Sequence, residues 1–395
     1  VTSDENTQGI VPAETLRRIA AAAPEADRNG SFPWEGIRAV HDSGLLHATV
    51  ARRYGGGGGD LLTVLRIVTE LGRADPSVAL ISAMTLLNHL GQATNATWPE
   101  DYYRDLVAEG RTRPILFNAA RVEPDLGSPA RGGLPQTIAR RTATGWSISG
   151  RKRFVTGSEG LTHYLVWAST DEEPGRVGTF IVAADTPGIT IVRNWDSLGM
   201  RATSSHDVVF EDVAVSAGLV INISGVGQAA QDNRGHAATT LVLTSIYLGV
   251  AEAARDAFAR FAHERVPANL GRPIAETDRF ITLAGEIDLL VSSARAILFD
   301  ALTHHAGDAE HLIRARLIVG RQLQEAVGIA VRALGNPGLG AELGLERHFR
   351  DIQSVLVHAP QEDTAIALLG RAAFARFRAA RDADAAPENL LRQAV

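Results

Sequence analysis

Three stretches of unbroken helical periodicity, Thr239 to Glu264, Arg279 to His305 and Ala309 to Leu334, constrain this chain more than any other feature of its sequence. Apolar residues recur there at three- and four-residue spacing, over lengths that no loop sustains. Their opposite faces are charged, so they read as bundle helices and not as bilayer spans. From Pro12 to Ala108 the same texture returns in shorter pieces, including Ala13 to Ala23 and Leu61 to Leu71. Between about Arg113 and Ser224 the periodicity changes to short β-rich runs punctuated by Gly and Pro: Gly145 to Ile148, His163 to Ala168, Thr179 to Ala183, Ile189 to Val192 and Asp207 to Phe210. Short strands at regular spacing predict a compact antiparallel sheet. The chain therefore reads as α+β, with an N-terminal helical domain over 1–112, a central antiparallel β domain over 113–225 and a C-terminal four-helix bundle over 226–395.

Composition then narrows the function. A chain of 395 residues with 45% hydrophobic content buries a large core. Its formal net charge is −6 and no basic cluster interleaves with aromatics, which argues against a nucleic-acid partner. No apolar run approaches the roughly 20 residues that span a bilayer, and Val1 to Gln8 is polar, so a cytoplasmic protein without a membrane partner is expected. The absence of cysteine removes disulfides, thiolate metal sites, Fe–S clusters and a Cys nucleophile together. No metal site is expected, and redox chemistry needs a borrowed cofactor. The run Gly55 to Gly59 before Asp60 reads as a tight connection between helices, because no Lys-Ser or Lys-Thr follows it as a phosphate cradle requires.

Five motifs occur in order along the chain. They are Tyr54-Gly55-Gly56; Glu123-Pro124 with Gly127-Ser128; Gly150-Arg151-Lys152-Arg153-Phe154-Val155-Thr156-Gly157-Ser158; Leu198-Gly199-Met200-Arg201-Ala202-Thr203-Ser204-Ser205 with Val208-Val209-Phe210-Glu211-Asp212-Val213; and Glu346-Arg347 with Arg350-Asp351. In this order and spacing the chain resembles the acyl-CoA dehydrogenase superfamily over nearly its whole length. The resemblance implies a flavin cofactor, FAD in preference to FMN, although Arg332 occupies a place where glutamine is frequent. An isoalloxazine ring offers a flat π surface and a polar edge, which an aromatic and a hydroxyl suit. Phe154 and Thr156, expected two apart on one strand face, supply that pair. Without the motif they would read as ordinary core packing. The resemblance also implies cofactor contacts from Val122, Ser128, Gly335, Gly338 and Gln361, and from Arg265 acting across a dimer or tetramer interface.

The namesake reaction removes an α-proton while a hydride passes to the flavin, so a carboxylate must stand across the substrate. The family keeps that glutamate nine residues after the arginine of the Arg-Asp motif, which here is Ala359, or on the long helix near Thr239. Neither residue is an acid. Losing a general base costs about 10²–10⁴ in rate, roughly 3–5 kcal/mol. The segment His358-Ala359-Pro360 resembles instead the His-x-Pro of flavin monooxygenases on the same fold, the dibenzothiophene and phenol hydroxylating type. That likeness implies a small organic substrate, O2, and reduced flavin from a separate reductase. His358 would stabilise the oxygenated flavin or deprotonate the substrate, Thr156 would place a hydroxyl near the reactive nitrogen, and His89 would be a second pocket histidine. The alternatives are a dehydrogenase with a displaced base, Glu362 or Asp363, and a non-catalytic homologue. His304 and His305 read as surface residues at a helix end, and His206-Asp207 as a structural pair.

Overall fold

The computed structural model describes residues 9–126, 134–225, 233–358 and 360–392. The first helices are α1 (Ala13–Asn29), α2 (Trp34–Asp42), α3 (Leu61–Ala74), α4 (Pro76–Thr94) and α5 (Glu100–Glu109). Local chemistry sets their ends. Asp60 opens α3 by accepting from the Thr63 N–H at 2.8 Å while Thr63 Oγ1 accepts from the Asp60 N–H at 3.2 Å, a reciprocal capping box. Asp75 separates α3 from α4: its N–H donates to Leu71 C=O, and its carboxylate accepts from the Ser77 N–H at 2.8 Å just after Pro76. The glycine run is the tight connection expected of it. A Cβ on Gly57 would meet Ala48 C=O at 2.5 Å, and Gly55 and Gly58 hold positive φ.

Among the described residues eight strands follow: β1 (Phe117–Ala120), β2 (Ile138–Arg141), β3 (Gly145–Val155), β4 (His163–Thr170), β5 (Arg176–Ala183), β6 (Ile189–Val192), β7 (His206–Ser216) and β8 (Val220–Gly225). They form one sheet in the order β6-β7-β3-β2-β4-β5-β8, with β1 added against β4. The sheet is antiparallel except where β1 and β2 pair in parallel with β4, which modifies the purely antiparallel expectation. Its interior holds a complete ion pair: Lys152 Nζ lies 2.6 Å from Glu123 Oε1, and the two side chains are 0% and 1% exposed.

The C-terminal helices are α6 (Asn233–Glu264), α7 (Asp278–His304), α8 (Ala309–Leu334), the short α9 (Asn336–Leu339), α10 (Leu345–Ile352) and α11 (Ser354–Val357), and the long α12 (Glu362–Arg392). α6 corrects one sequence expectation. Over Ala237–Glu264 it is long and apolar enough to cross a bilayer, yet 83% of its apolar window is buried by the rest of the chain, so it is a core helix. α3 and α6 meet backbone to backbone: a Cβ on Gly249 would meet Thr69 C=O at 2.1 Å, and one on Gly72 would meet Ile246 C=O at 2.3 Å. One apolar cluster runs from Ile37 and Leu65 through Trp146 and Phe210 to Leu248 and Val327, so all three regions share a core.

Candidate functional site

β3 delivers the first part of the site. Its ladder to β7 slips between Lys152 and Val155, and within that bulge Phe154 takes a left-handed backbone with φ 54°. This corrects the expectation that Phe154 and Thr156 share a strand face. The strand ends at Val155, and Thr156 starts a turn in which Gly157 has φ 80°. Bulges re-aim side chains, and the re-aimed phenyl is 52% exposed. It stands edge-on to Trp195, ring centroids 6.2 Å apart, with the Arg153 guanidinium 4.8 Å from its centroid. A left-handed conformation costs a non-glycine residue about 1–2 kcal/mol, and an exposed phenyl forgoes burial. Apart from the Trp195 and Arg153 contacts the ring is left open, and a strained, exposed aromatic of this kind is a candidate for facing a ligand.

Thr156 is held on both sides. Asn118 Nδ2 donates to its carbonyl at 3.1 Å, and its Oγ1 lies 3.1 Å from Ser205 Oγ. Ser205 Oγ lies 2.8 Å from Thr203 Oγ1, which donates to Met200 C=O at 2.9 Å. The half-buried Val122 accepts the Arg153 N–H at 2.8 Å and so borders the same bulge. An exposed aromatic beside an anchored hydroxyl fits a flavin ring and its polar edge. Ser128 and Ala359 lie outside the described residues.

The second part comes from the end of α11. His358 Nε2 lies 3.2 Å from the Tyr247 hydroxyl of α6, with the rings edge-on at 5.5 Å. Arg316 of α8, itself buried, donates to Val355 C=O at 3.3 Å and to His358 C=O. Burial, with the Arg316 charge adding to it, pushes His358 down to about 4, so the imidazole is neutral at pH 7. Burial raises the Tyr247 phenol and keeps it protonated. Sequence reasoning found His358 but neither Tyr247 nor Arg316, which carry no motif.

Two of the matching motifs clasp these parts together. The Met200 N–H donates to Asp351 Oδ1 at 2.6 Å, Arg350 Nη1 donates to Leu198 C=O at 3.2 Å, and a Cβ on Gly199 would meet Arg350 C=O at 2.2 Å. The remaining residues named from the sequence stand elsewhere. Arg265 is exposed after α6, Gly335 ends α8 at φ 65°, Gly338 packs against Val331 C=O, and Gln361 is exposed before α12. His89 is corrected from a pocket residue to a core one. It is 1% exposed, its Nδ1 lies 2.7 Å from the Tyr103 hydroxyl and its ring abuts Phe117, a setting that leaves no open face to a substrate.

The carboxylates decide what the site can do. Among the described residues every buried one is committed: Asp75 to the Ser77 N–H, Glu123 to Lys152, Asp207 to Arg151, Glu252 to Arg295 and Asp351 to the Met200 N–H. The displaced-base candidates are committed too, Glu362 to Arg321 at 2.8 Å and Asp363 to the Thr364 N–H at 2.7 Å. The stretch 237–251 of α6 contains no acid.

The buried titratable groups also set an acid limit on stability. Burial lowers His89 and His348 to about 3 and His163 and His358 to about 4, so unfolding lets all four take protons below their ordinary value of 6.5. Burial raises Asp75 to about 6 and Asp351 to about 7, so the folded state holds two protons there that the unfolded state releases. The unfolded chain is left with a net excess of two protons between about pH 6 and pH 4, which removes about 2.7 kcal/mol of stability per pH unit on acidification. Urea midpoints measured at pH 7, 6 and 5 should fall in that order; constant or rising midpoints would contradict these assignments.

A three-part chain with this sheet, these clasped motifs and an exposed aromatic at the bulge of β3 fits the acyl-CoA dehydrogenase class of flavoenzyme. Family models agree along its length: the acyl-CoA dehydrogenase N-terminal domain matches residues 11–107, the middle domain 119–213 and the C-terminal domain 241–362. YdbM of Bacillus subtilis (strain 168), by name an acyl-CoA dehydrogenase, is 31% identical over 94% of this chain and 98% of its own. The structure of KijD3 in complex with FMN and dTDP-3-amino-2,3,6-trideoxy-4-keto-3-methyl-D-glucose is 29% identical, covers 92% of each chain and superposes with a TM-score of 0.80. The dibenzothiophene monooxygenase TdsC from Paenibacillus sp. A11-2 is 20% identical over 90% of this chain and 94% of its own, with a TM-score of 0.77, a likeness of fold. The chain belongs to the acyl-CoA dehydrogenase family and is a flavin-dependent oxidoreductase of that fold.

Proposed function

We propose that this protein is a flavin-dependent monooxygenase acting on a small organic molecule. The observation that carries the reading is the commitment of every described carboxylate near the site to another partner, while a neutral histidine stands where the family's acid segment lies. α-Proton abstraction needs a free base, and among the described residues the site offers none. Oxygenation needs a dry site and a hydrogen-bonding group, which buried Tyr247 and neutral His358 supply. Bound reduced flavin provides two electrons, so that one atom of O2 enters the substrate and the other leaves as water. Thr156 then orients the polar edge of the ring through its hydroxyl chain, Phe154 covers the ring, and His358 holds or moves a proton at its imidazole.

The reduced flavin comes from a separate reductase in this reading. The structure of KijD3 is a complex with FMN, and here an arginine, Arg332, stands where glutamine is frequent in the family; both points favour FMN over FAD. Exposed Phe374 and Phe377 on α12, at 70% and 67%, together with Leu289 on α7, support assembly into a dimer or tetramer.

The test is anaerobic. Protein loaded with oxidised flavin is mixed with acyl-CoAs of short, medium and long chain, and the flavin absorbance is expected to stay unchanged. Bleaching by any of them establishes the dehydrogenase instead. Protein that binds neither oxidised nor reduced FMN or FAD is a non-catalytic homologue.

A further inference from the structure

We propose that Asp300, His305 and His311 form a binding site for one borderline transition-metal dication, of the zinc class, at the turn between α7 and α8. The last turn of α7 presents Asp300, the residue after the helix is His305, and the first turn of α8 presents His311. Their ligand atoms all lie within 4.8 Å of one another, and the two imidazoles stack with centroids 3.9 Å apart and planes at 22°. Four-coordinate zinc with bonds of about 2.0–2.1 Å spaces its ligand atoms roughly 3.3 Å apart. Asp300 Oδ2 and His305 Nε2 already stand 3.7 Å apart.

The turn that carries these donors is fixed before any ion arrives. The His305 N–H donates to Ala301 C=O at 3.0 Å and the Asp308 N–H to His305 C=O at 2.9 Å. The Asp308 carboxylate caps α8 by accepting the His311 N–H at 3.0 Å. Competing groups are occupied: Glu310 pairs with Arg314 and Arg376, and Asp308 is spent on its cap. An ion held by both imidazoles lies in the plane of each ring, so one of the two stacked rings turns about its side-chain torsions on binding, for which the exposure of His305 and Asp300 leaves room. Two imidazoles and one carboxylate suit zinc, nickel or cobalt better than calcium or magnesium, which prefer all-oxygen sets. The remaining coordination position faces solvent and takes water. Among the described residues the triad makes no contact with Phe154, Thr156 or His358, so the ion would clip two bundle helices together and not join the chemistry.

Full-length protein stripped with a chelator is titrated with Zn2+ by calorimetry and with Co2+ by visible absorption. One equivalent per chain is expected, with the Co2+ spectrum of a low-coordinate site. His305→Ala, His311→Ala and Asp300→Asn should each weaken Zn2+ binding by at least about tenfold, the scale on which metal sites respond to lost partners, with the helical circular dichroism unchanged. Absence of a stoichiometric site, or variants that bind Zn2+ as tightly as the parent, overturns the proposal. Because these variants leave the flavin residues intact, the result stands apart from the acyl-CoA test.

Discussion

Replacing His358 by alanine is expected to lower coupled turnover with reduced flavin and O2 by about 10²–10⁴-fold, equivalent to roughly 3–5 kcal/mol of transition-state stabilisation. The imidazole is neutral because burial and the Arg316 charge oppose its protonation, and it is positioned by the Tyr247 hydroxyl at 3.2 Å and by the hold of Arg316 on its own carbonyl. Removing the ring removes the proton-handling group but leaves Phe154 and Thr156 in place, so flavin affinity should stay within a factor of a few. The measurement is the share of consumed O2 that appears as hydrogen peroxide, which should rise toward the whole in His358→Ala. Tyr247→Phe keeps the ring but loses its partner, and should give an intermediate value. Equal peroxide yields in His358→Ala and the parent would remove His358 from the chemistry.

The largest expected effect on stability lies in the sheet. Lys152→Met leaves Glu123 buried without its cation, and breaking a buried pair in this way costs about 3–5 kcal/mol. Burial pulls Lys152 down to about 8, and Glu123 opposes that shift, so the amine is charged at neutral pH. Burial by itself would raise Glu123, but the Lys152 ammonium, the Thr137 hydroxyl and the Gln136 N–H outweigh it and hold the carboxylate below its ordinary range. Replacing both partners, as Lys152→Met with Glu123→Gln, should recover part of the loss, because no lone charge is then left in the interior. Urea denaturation of the parent and of these two variants checks this. A single-variant loss below about 1 kcal/mol would place the pair on the scale of a surface bridge.

These two sites also show where the sequence was legible. The long helices were readable because their apolar spacing repeats many times, and α1, α3, α7 and α8 fall where that spacing puts them. Alternation alone carries β3 only as far as Ile148, because the charged run Arg151-Lys152-Arg153 looks unlike a strand, and the strand placement of Phe154 rests on the motif. The partner that makes Lys152 an interior residue lies 29 positions earlier, beyond any local pattern. β1, β2 and β8 were missed because strands of four to six residues carrying Asn118, Arg140, Arg141 or Asn222 give too little alternation to count. In the site, motifs found Phe154, Thr156 and His358. Tyr247 stands 111 positions from His358, and only the fold brings the two together. The left-handed turn that exposes Phe154 was illegible for a related reason, since it follows from a register slip against β7.

The clasp between Met200 and Asp351 spans 151 residues of chain. During synthesis the sheet with Phe154 and Thr156 leaves the ribosome complete, long before the segment that faces it exists. The helix and sheet halves of the site therefore belong to different moments of the protein's life. A nascent chain stopped before α10 carries the sheet-borne Phe154 and Thr156 but neither the Asp351 clasp nor His358, and the two parts are tied together only when roughly the last eighth of these 395 residues folds back.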